Sequence, residues 1–223
     1  MATDEMIASL VRDLQPVKPL PVPHVRLAQW GLVAVATTAA VTAGIGPRAD
    51  LLASLTTVPF QAHALLLLLL ALSSAIAALA MAIPGERVQL WRRWAPVAAG
   101  LAWAAWLGAE LLVVAVNGQG LWPGTEGIGC VAKAFAFGVT PGIALTIMLG
   151  RGLPGDTRAT MVFAGLATAA VGAFGVELTC PLTSPSHLLV WHGGPVVAAA
   201  LAAWVVGRTI FTVATGAVAE IRG

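Results

Sequence analysis

Charged residues are scarce in this sequence. Asp, Glu, Lys and Arg make up 10% of its 223 residues, whereas ordinary soluble domains carry about 25%. Apolar residues make up 58%, and the mean hydropathy is +0.88. This composition excludes an ordinary soluble domain and indicates an integral membrane protein. No basic run occurs outside short loops, so direct binding of nucleic acid is not expected.

Enzyme signatures are also absent. The chain has no Walker loop, no GxGxxG followed by an acidic residue, no GxSxG and no HExxH. It has only two cysteines, Cys130 and Cys180, so a thiol oxidoreductase, which would normally need a second thiol pair or a quinone site, is disfavoured. The first 26 residues contain no signal-peptide pattern. We therefore expect a membrane protein that is not an enzyme and that begins in the cytoplasm.

Six apolar stretches are long enough to cross a bilayer as helices, which takes about 20 residues each. Short loops rich in Gly and Pro separate them. The sequence therefore predicts an all-α membrane protein with six transmembrane helices. Their predicted ranges are 27–45, 58–83, 94–116, 129–149, 159–178 and 188–213.

The distribution of basic residues predicts the orientation. Lys and Arg concentrate in cytoplasmic segments of multi-pass proteins. With the N-terminus inside, the outer loops hold only Arg48, and Lys133 lies within the outer end of a span. We therefore expect both termini in the cytoplasm. The basic residues assigned to the inner side are Arg12, Lys18, Arg26, Arg87, Arg92, Arg93, Arg151, Arg158, Arg208 and Arg222.

The N-terminal tail is predicted to form one short amphipathic helix from Thr3, its N-cap, to Leu14. A Pro-rich segment, 15–23, follows and favours an extended, semi-rigid spacer. So short a helix is marginal alone in water, so it must dock on membrane lipid, on its own bundle or on a partner protein. Its apolar stripe comprises Met6, Ile7, Leu10, Val11 and Leu14.

The two cysteines occupy matching positions. Cys130 opens the fourth predicted span and Cys180 closes the fifth. Antiparallel neighbouring helices would bring both thiols to the non-cytoplasmic face at similar depth. Three uses are open there: a static disulfide, a switchable thiol pair, or a metal site.

Ionisable groups cluster around both thiols in the sequence. Lys133 shares a helix face with Cys130, and Glu177 shares one with Cys180, because each pair is three residues apart. We expect Lys133 to pair with Glu177 or Glu110, either as a register-fixing ion pair or to favour the Cys130 thiolate.

Two histidines, His187 and His192, follow Cys180. Together with the thiols, they and Glu177 could hold zinc, cadmium or copper(I). Their spacing of five residues does not suit one α-helical face. No CxxC or HxxxH spacing is present, and histidines that only form structural hydrogen bonds are the alternative.

In these features the chain resembles the NrsF-like family of bacterial inner-membrane anti-sigma factors. The resemblance implies a protein that binds an extracytoplasmic-function sigma factor and keeps it from RNA polymerase. It further implies that heavy metal ions or oxidants relieve this inhibition, with Cys130 and Cys180 as the sensor. The features that carry it are the opening 3–10, the Pro-rich 16–20, Pro84-Gly85 after the second span, both cysteines and the closing 187–192.

We therefore expect three parts: a sigma-binding segment with its spacer, 1–24; a six-helix sensor domain, 25–216; and a short cytoplasmic tail, 217–223. No cofactor is required, although Cys130 and Cys180 could hold a metal ion transiently. The competing hypothesis is a transporter of small solutes or metal ions, lined by Glu110, Lys133, Glu177 and the histidines.

Overall fold

A computed structural model describes residues 3–12, 19–83, 89–152 and 154–221, with no side-chain description for 208–221. All regular secondary structure in these ranges is helical. The helices are α1 (Thr3–Arg12), α2 (Pro23–Ile45), α3 (Leu51–Ser54), α4 (Val58–Met81), α5 (Leu90–Val116), α6 (Ile128–Gly150), α7 (Thr157–Glu177), α8 (Pro185–His187) and α9 (Gly194–Ile221). A π-helical turn, Leu188–Gly193, joins α8 to α9.

The prediction of six spans is confirmed. Helices α2, α4, α5, α6 and α7, together with the continuous segment Pro185–Gly207, are long and apolar enough to cross a membrane. Helix α2 begins four residues earlier than predicted, at Pro23, because proline suits the first position of a helix, where no N–H partner is required. The short helix α3 was not predicted.

Helix α7 lies at the centre of the bundle and packs against α4, α6 and α9. Its glycines allow the close approach. A Cβ atom added at Gly172 would lie 2.6 Å from the carbonyl oxygen of Ala134 on α6, which is closer than real Cβ contacts allow. Small residues therefore allow α6 and α7 to pack closely.

The bundle has two ends that are important for function. At the first, called the tail end here, Arg26 near the start of α2 contacts carbonyls in the last turns of α4 and α6. At the second, called the cysteine end, the chain after α2 meets the chain after α7, where the N–H of Arg48 donates to the carbonyl of Leu178 at 2.9 Å. The predicted alternation of the spans produces this arrangement.

The tail helix α1 exposes apolar side chains. Ile7 is 53% exposed and Val11 is 59% exposed. The structure describes this helix from Thr3 to Arg12. Residues 13 and 14 of the predicted helix, residues 15–18 of the predicted spacer and the side chains of Met6 and Leu10 lie outside the described residues. In the described part of the chain, Ile7 and Val11 are exposed rather than packed against other residues.

Candidate functional site: a thiol–imidazole cluster

Both cysteines lie at the cysteine end and face each other. Cys130 is in the first turn of α6, and Cys180 follows the end of α7 by three residues. Their sulfur atoms are 3.4 Å apart, and both residues are buried. Phe137 and Val176 pack beside them and are fully buried, so the thiols lie against an apolar wall that excludes water.

A π-helical turn brings two histidines to the same place. In this turn residues five apart lie on one face, because the backbone hydrogen bonds run from i to i+5. His187 and His192 therefore lie close together, with ring centroids 5.5 Å apart. His187 Nε2 is 3.6 Å from the sulfur of Cys130 and 3.6 Å from that of Cys180. An α-helical interpretation of the sequence could not find this geometry.

His192 is oriented by a carboxylate and has a free ring nitrogen. Its Nδ1 lies 3.2 Å from Glu177 Oε1, and the two residues are 1% and 3% exposed. A carboxylate accepts the proton of Nδ1, which leaves the lone pair on Nε2. His192 Nε2 is buried and has no hydrogen-bond partner among the residues that the structure describes. A histidine held by a carboxylate in this way is a frequent arrangement at metal sites.

The four donor atoms fit one metal ion. Ligand atoms of Cys130, Cys180, His187 and His192 all lie within 4.8 Å of one another. In a tetrahedral site with zinc–sulfur bonds of about 2.3 Å and zinc–nitrogen bonds of about 2.0–2.1 Å, the ligand atoms are separated by about 3.6–3.8 Å for S–S and S–N pairs. The measured sulfur–sulfur distance of 3.4 Å and sulfur–nitrogen distances of 3.6 Å are close to these values.

A disulfide would need a further movement. The bond length is about 2.05 Å, so the two sulfurs, 3.4 Å apart, would have to approach by about 1.4 Å. Such a movement is within reach of side-chain rotation and small helix shifts. Oxidation would then remove both thiolate ligands from the cluster. The two sulfur atoms can therefore bind a metal ion or form a disulfide, but not both at once.

Lys133 does not form the predicted ion pair. Its ammonium donates to the carbonyl of Thr179 at 3.2 Å, while Glu177 pairs with His192 and Glu110 pairs with His63. Histidine partners for both carboxylates leave Lys133 to bind the backbone beside Cys180. Lys133 therefore anchors the segment after α7 and does not form an ion pair between helices.

A second polar network, which the sequence did not reveal, lies between α4 and α5. His63 Nε2 is 2.8 Å from Glu110 Oε2, and Trp103 Nε1 donates to His63 Nδ1 at 3.3 Å. Trp106 Nε1 donates to the other oxygen of Glu110 at 2.9 Å. Trp103 and Trp106 therefore provide the hydrogen-bond donors of this network. Their positions seven and four residues before Glu110 put all three side chains on one face of α5, and this spacing could have indicated the network.

Arg48 is the buried cation of the loop after α2. Its guanidinium binds both carboxylate oxygens of Asp50, at 2.6 and 2.8 Å. This hydrogen-bonded pairing lowers the pKa of Asp50 to about 2 and raises the pKa of Arg48. Because the Arg48 backbone also binds Leu178, two residues before Cys180, the pair braces the segment that carries one of the thiols.

The fold and the cluster define a multi-pass helical membrane protein with a buried Cys2His2 donor set. The family model described as NrsF, negative regulator of sigma F, matches residues 10–212. The chain belongs to this family, and its role is that of an anti-sigma factor. No curated protein and no solved structure matches the chain.

Proposed function

We propose that the protein holds an extracytoplasmic-function sigma factor at the bacterial inner membrane and releases it when a heavy metal ion or an oxidant reacts at Cys130 and Cys180. The convergence of four donor atoms, with a buried and unpartnered His192 Nε2, is the observation that carries the sensing role. The proposed ligands are the two cysteines, His187 and His192, with Glu177 orienting His192.

The tail end would face the cytoplasm in this proposal. Arg93, Arg151 and Arg158 belong to this end, as the positive-inside rule requires of a cytoplasmic face. The cysteine end would then face the periplasm, where thiols meet metal ions and oxidants from outside the cell. This orientation puts α1 in the compartment that contains sigma factors.

The segment 1–24 would bind the sigma factor through one face of α1. Exposed Ile7 and Val11 support this, because an amphipathic helix buries such residues in an apolar groove of its partner. Met6, Leu10 and Leu14 continue the same stripe by sequence. Membrane lipid contacts the six spans and is the competing surface for this helix.

The donor set favours a metal over an oxidant as the signal. A thiol pair alone would suffice for oxidation, whereas two imidazoles beside the thiols match the ligand preferences of zinc-like and softer ions. The metal would complete a closed four-ligand site and, by fixing α6, α7 and the π-helical turn to one ion, change the bundle that carries the tail. No step of the proposal needs a resident cofactor.

The sensing role is tested by the double substitution Cys130→Ser, Cys180→Ser, with sigma-dependent transcription as the readout. We expect the response to cadmium and to oxidant to be lost. His63→Asn is the matched control, since His63 is another buried histidine at this end but lies outside the cluster. An unchanged response in the double variant would contradict the sensing role.

The docking role is tested by Ile7→Asp, which places a charge on the apolar stripe. We expect sigma-dependent transcription without stress and loss of co-purification with the sigma factor. Ala8→Asp is the control, because Ala8 is exposed on the same helix but lies outside the apolar stripe. Equal effects of the two substitutions, or full co-purification of Ile7→Asp, would refute the stripe as the binding surface.

A further inference from the structure

Arg26 is a buried cation at the tail end, only three residues after α2 begins. It is 2% exposed. Its Nη2 donates to the carbonyl of Met148 at 2.6 Å and its Nη1 donates to the carbonyl of Leu79 at 3.4 Å. Arg26 therefore connects α2 to two other helices at the point where the N-terminal tail enters the bundle.

Both acceptors are carbonyls in the last turns of helices. Leu79 lies near the end of α4, which finishes at Met81, and Met148 lies near the end of α6, which finishes at Gly150. The last four carbonyls of a helix have no intrahelical partner, and this terminus carries a partial negative charge. A guanidinium satisfies both requirements at once, which explains why a charge is buried here.

Trp30 makes a second link on the same face of α2, four residues further on. Its Nε1 donates to the carbonyl of Pro141 at 3.1 Å, and the ring is buried. Helix α2 is thus hydrogen-bonded to α6 at two positions, near the middle of α6 and near its C-terminal end.

Helix α6 joins this connection to the thiol cluster. It carries Cys130 in its first turn and the Met148 acceptor in its last. At 1.5 Å per residue the two positions are about 27 Å apart along the helix. Among the described residues, α6 is the helix that holds both a cluster thiol and an acceptor of Arg26.

We infer that Arg26 is the positioning residue that transmits ligand binding at the cluster to the sigma-binding tail; the inference rests on the proposed function. A ligand that moves the outer end of α6 against α7 also moves the Met148 carbonyl, and Arg26 passes this displacement to the start of α2. The Pro-rich sequence before α2 predicts a semi-rigid spacer, so a change at Pro23 would change where α1 is presented.

The test uses the full-length protein in lipid nanodiscs with its purified sigma factor, and cadmium as the probe. The variant is Arg26→Met, which keeps length and removes the donors. Two quantities are measured: the cadmium Kd without sigma factor, and the sigma-factor Kd with and without cadmium. In the unmodified protein we expect cadmium to weaken sigma binding by about 5- to 150-fold, the usual range of allosteric coupling.

In Arg26→Met we expect the cadmium Kd to change by less than about twofold, while the effect of cadmium on sigma binding falls below about twofold. If Arg26 were merely structural, its replacement would alter stability and leave the ratio of the sigma-factor Kd values with and without cadmium unchanged. Arg151→Met is the control, since Arg151 is an exposed arginine just after α6, and it should retain the full ratio. Full coupling in Arg26→Met would overturn the inference.

Two further outcomes are distinguishable. If the unmodified protein binds cadmium without any change in sigma binding, the proposed function fails and this inference fails with it. If Arg26→Met does not yield folded protein, Arg26→Lys provides the test, because one ammonium cannot hold both carbonyls in the geometry of a guanidinium. We expect reduced coupling in Arg26→Lys with unchanged cadmium affinity, and full coupling there would equally overturn the inference.

Discussion

Replacing Glu177 with glutamine isolates the contribution of one charge to metal binding. The amide oxygen of glutamine can still accept the proton of His192 Nδ1, which Glu177 Oε1 approaches to 3.2 Å. The side chain keeps its shape and its buried position. What is lost is the negative charge that makes the imidazole a stronger ligand.

The magnitude follows from the geometry. One imidazole ring separates the carboxylate from the donor atom, so the carboxylate would lie about 7 Å from a bound ion, and its charge would attract a divalent ion by about 4.7 kcal/mol at an effective dielectric constant of about 20. Loss of an outer partner of a histidine ligand typically weakens metal binding by about 10- to 100-fold, which is about 1.4–2.8 kcal/mol. The Coulomb value is the larger one because the two thiolates offset the charge of the ion.

The assay is a competition titration of the purified protein with zinc and a chromophoric chelator. Glu110→Gln is the matched control, because Glu110 is also paired with a buried histidine at the cysteine end, but that histidine is His63. We expect Glu177→Gln to raise the zinc Kd by about 10- to 100-fold and Glu110→Gln to leave it unchanged. A zinc Kd for Glu177→Gln within twofold of the unmodified value would refute the assignment of Glu177 as the partner of a ligand.

Three other substitutions test the fold around the site. Gly172→Ala should destabilise the protein by about 1–3 kcal/mol, since its new methyl group would push into the backbone of α6; thermal unfolding compared with Gly108→Ala, where nothing lies within 4 Å, checks this. Asp50→Asn should lower the melting temperature above about pH 4. The difference in melting temperature between this variant and the unmodified protein should shrink as pH falls towards 2, because Asp50 then loses its charge beside Arg48. Equal melting temperatures of the two proteins at neutral pH would contradict this prediction. Trp191→Phe removes the Nε1 donor bonded to two carbonyls of the loop between α5 and α6 and should cost about 1 kcal/mol, measured by thermal unfolding, with faster proteolysis of that loop.

The six spans were predictable because hydrophobic length is a local property of the sequence. The meeting of Cys130 and Cys180 also followed from simple alternation of antiparallel helices, which brings the start of one span beside the end of the next. The apolar residues of α1 recur with 3.6-residue periodicity, and the two whose side chains the structure describes, Ile7 and Val11, are exposed.

The partners of the charged groups were not predictable in the same way. Lys133 was expected to pair with a carboxylate, but Glu110 and Glu177 each have a histidine partner from another helix. Which helices are neighbours decides such pairs, and the chain order does not specify that. The π-helical turn was missed because a five-residue spacing is unfavourable under α-helical geometry, the only geometry that the local pattern suggests.

The donor set of the cluster is spread over the start of α6, the end of α7 and the turn before α9, so it is assembled late in synthesis. The tail is made first. About 180 residues separate α1 from His192, and at about 5–20 residues per second their synthesis takes about 10–40 s. During that interval a nascent chain displays Ile7 and Val11 without a complete cluster. If α1 binds the sigma factor and the cluster senses the signal, as proposed, a newly made molecule is able to capture a sigma factor before it can respond to a signal, and inhibition precedes sensing in the life of each molecule.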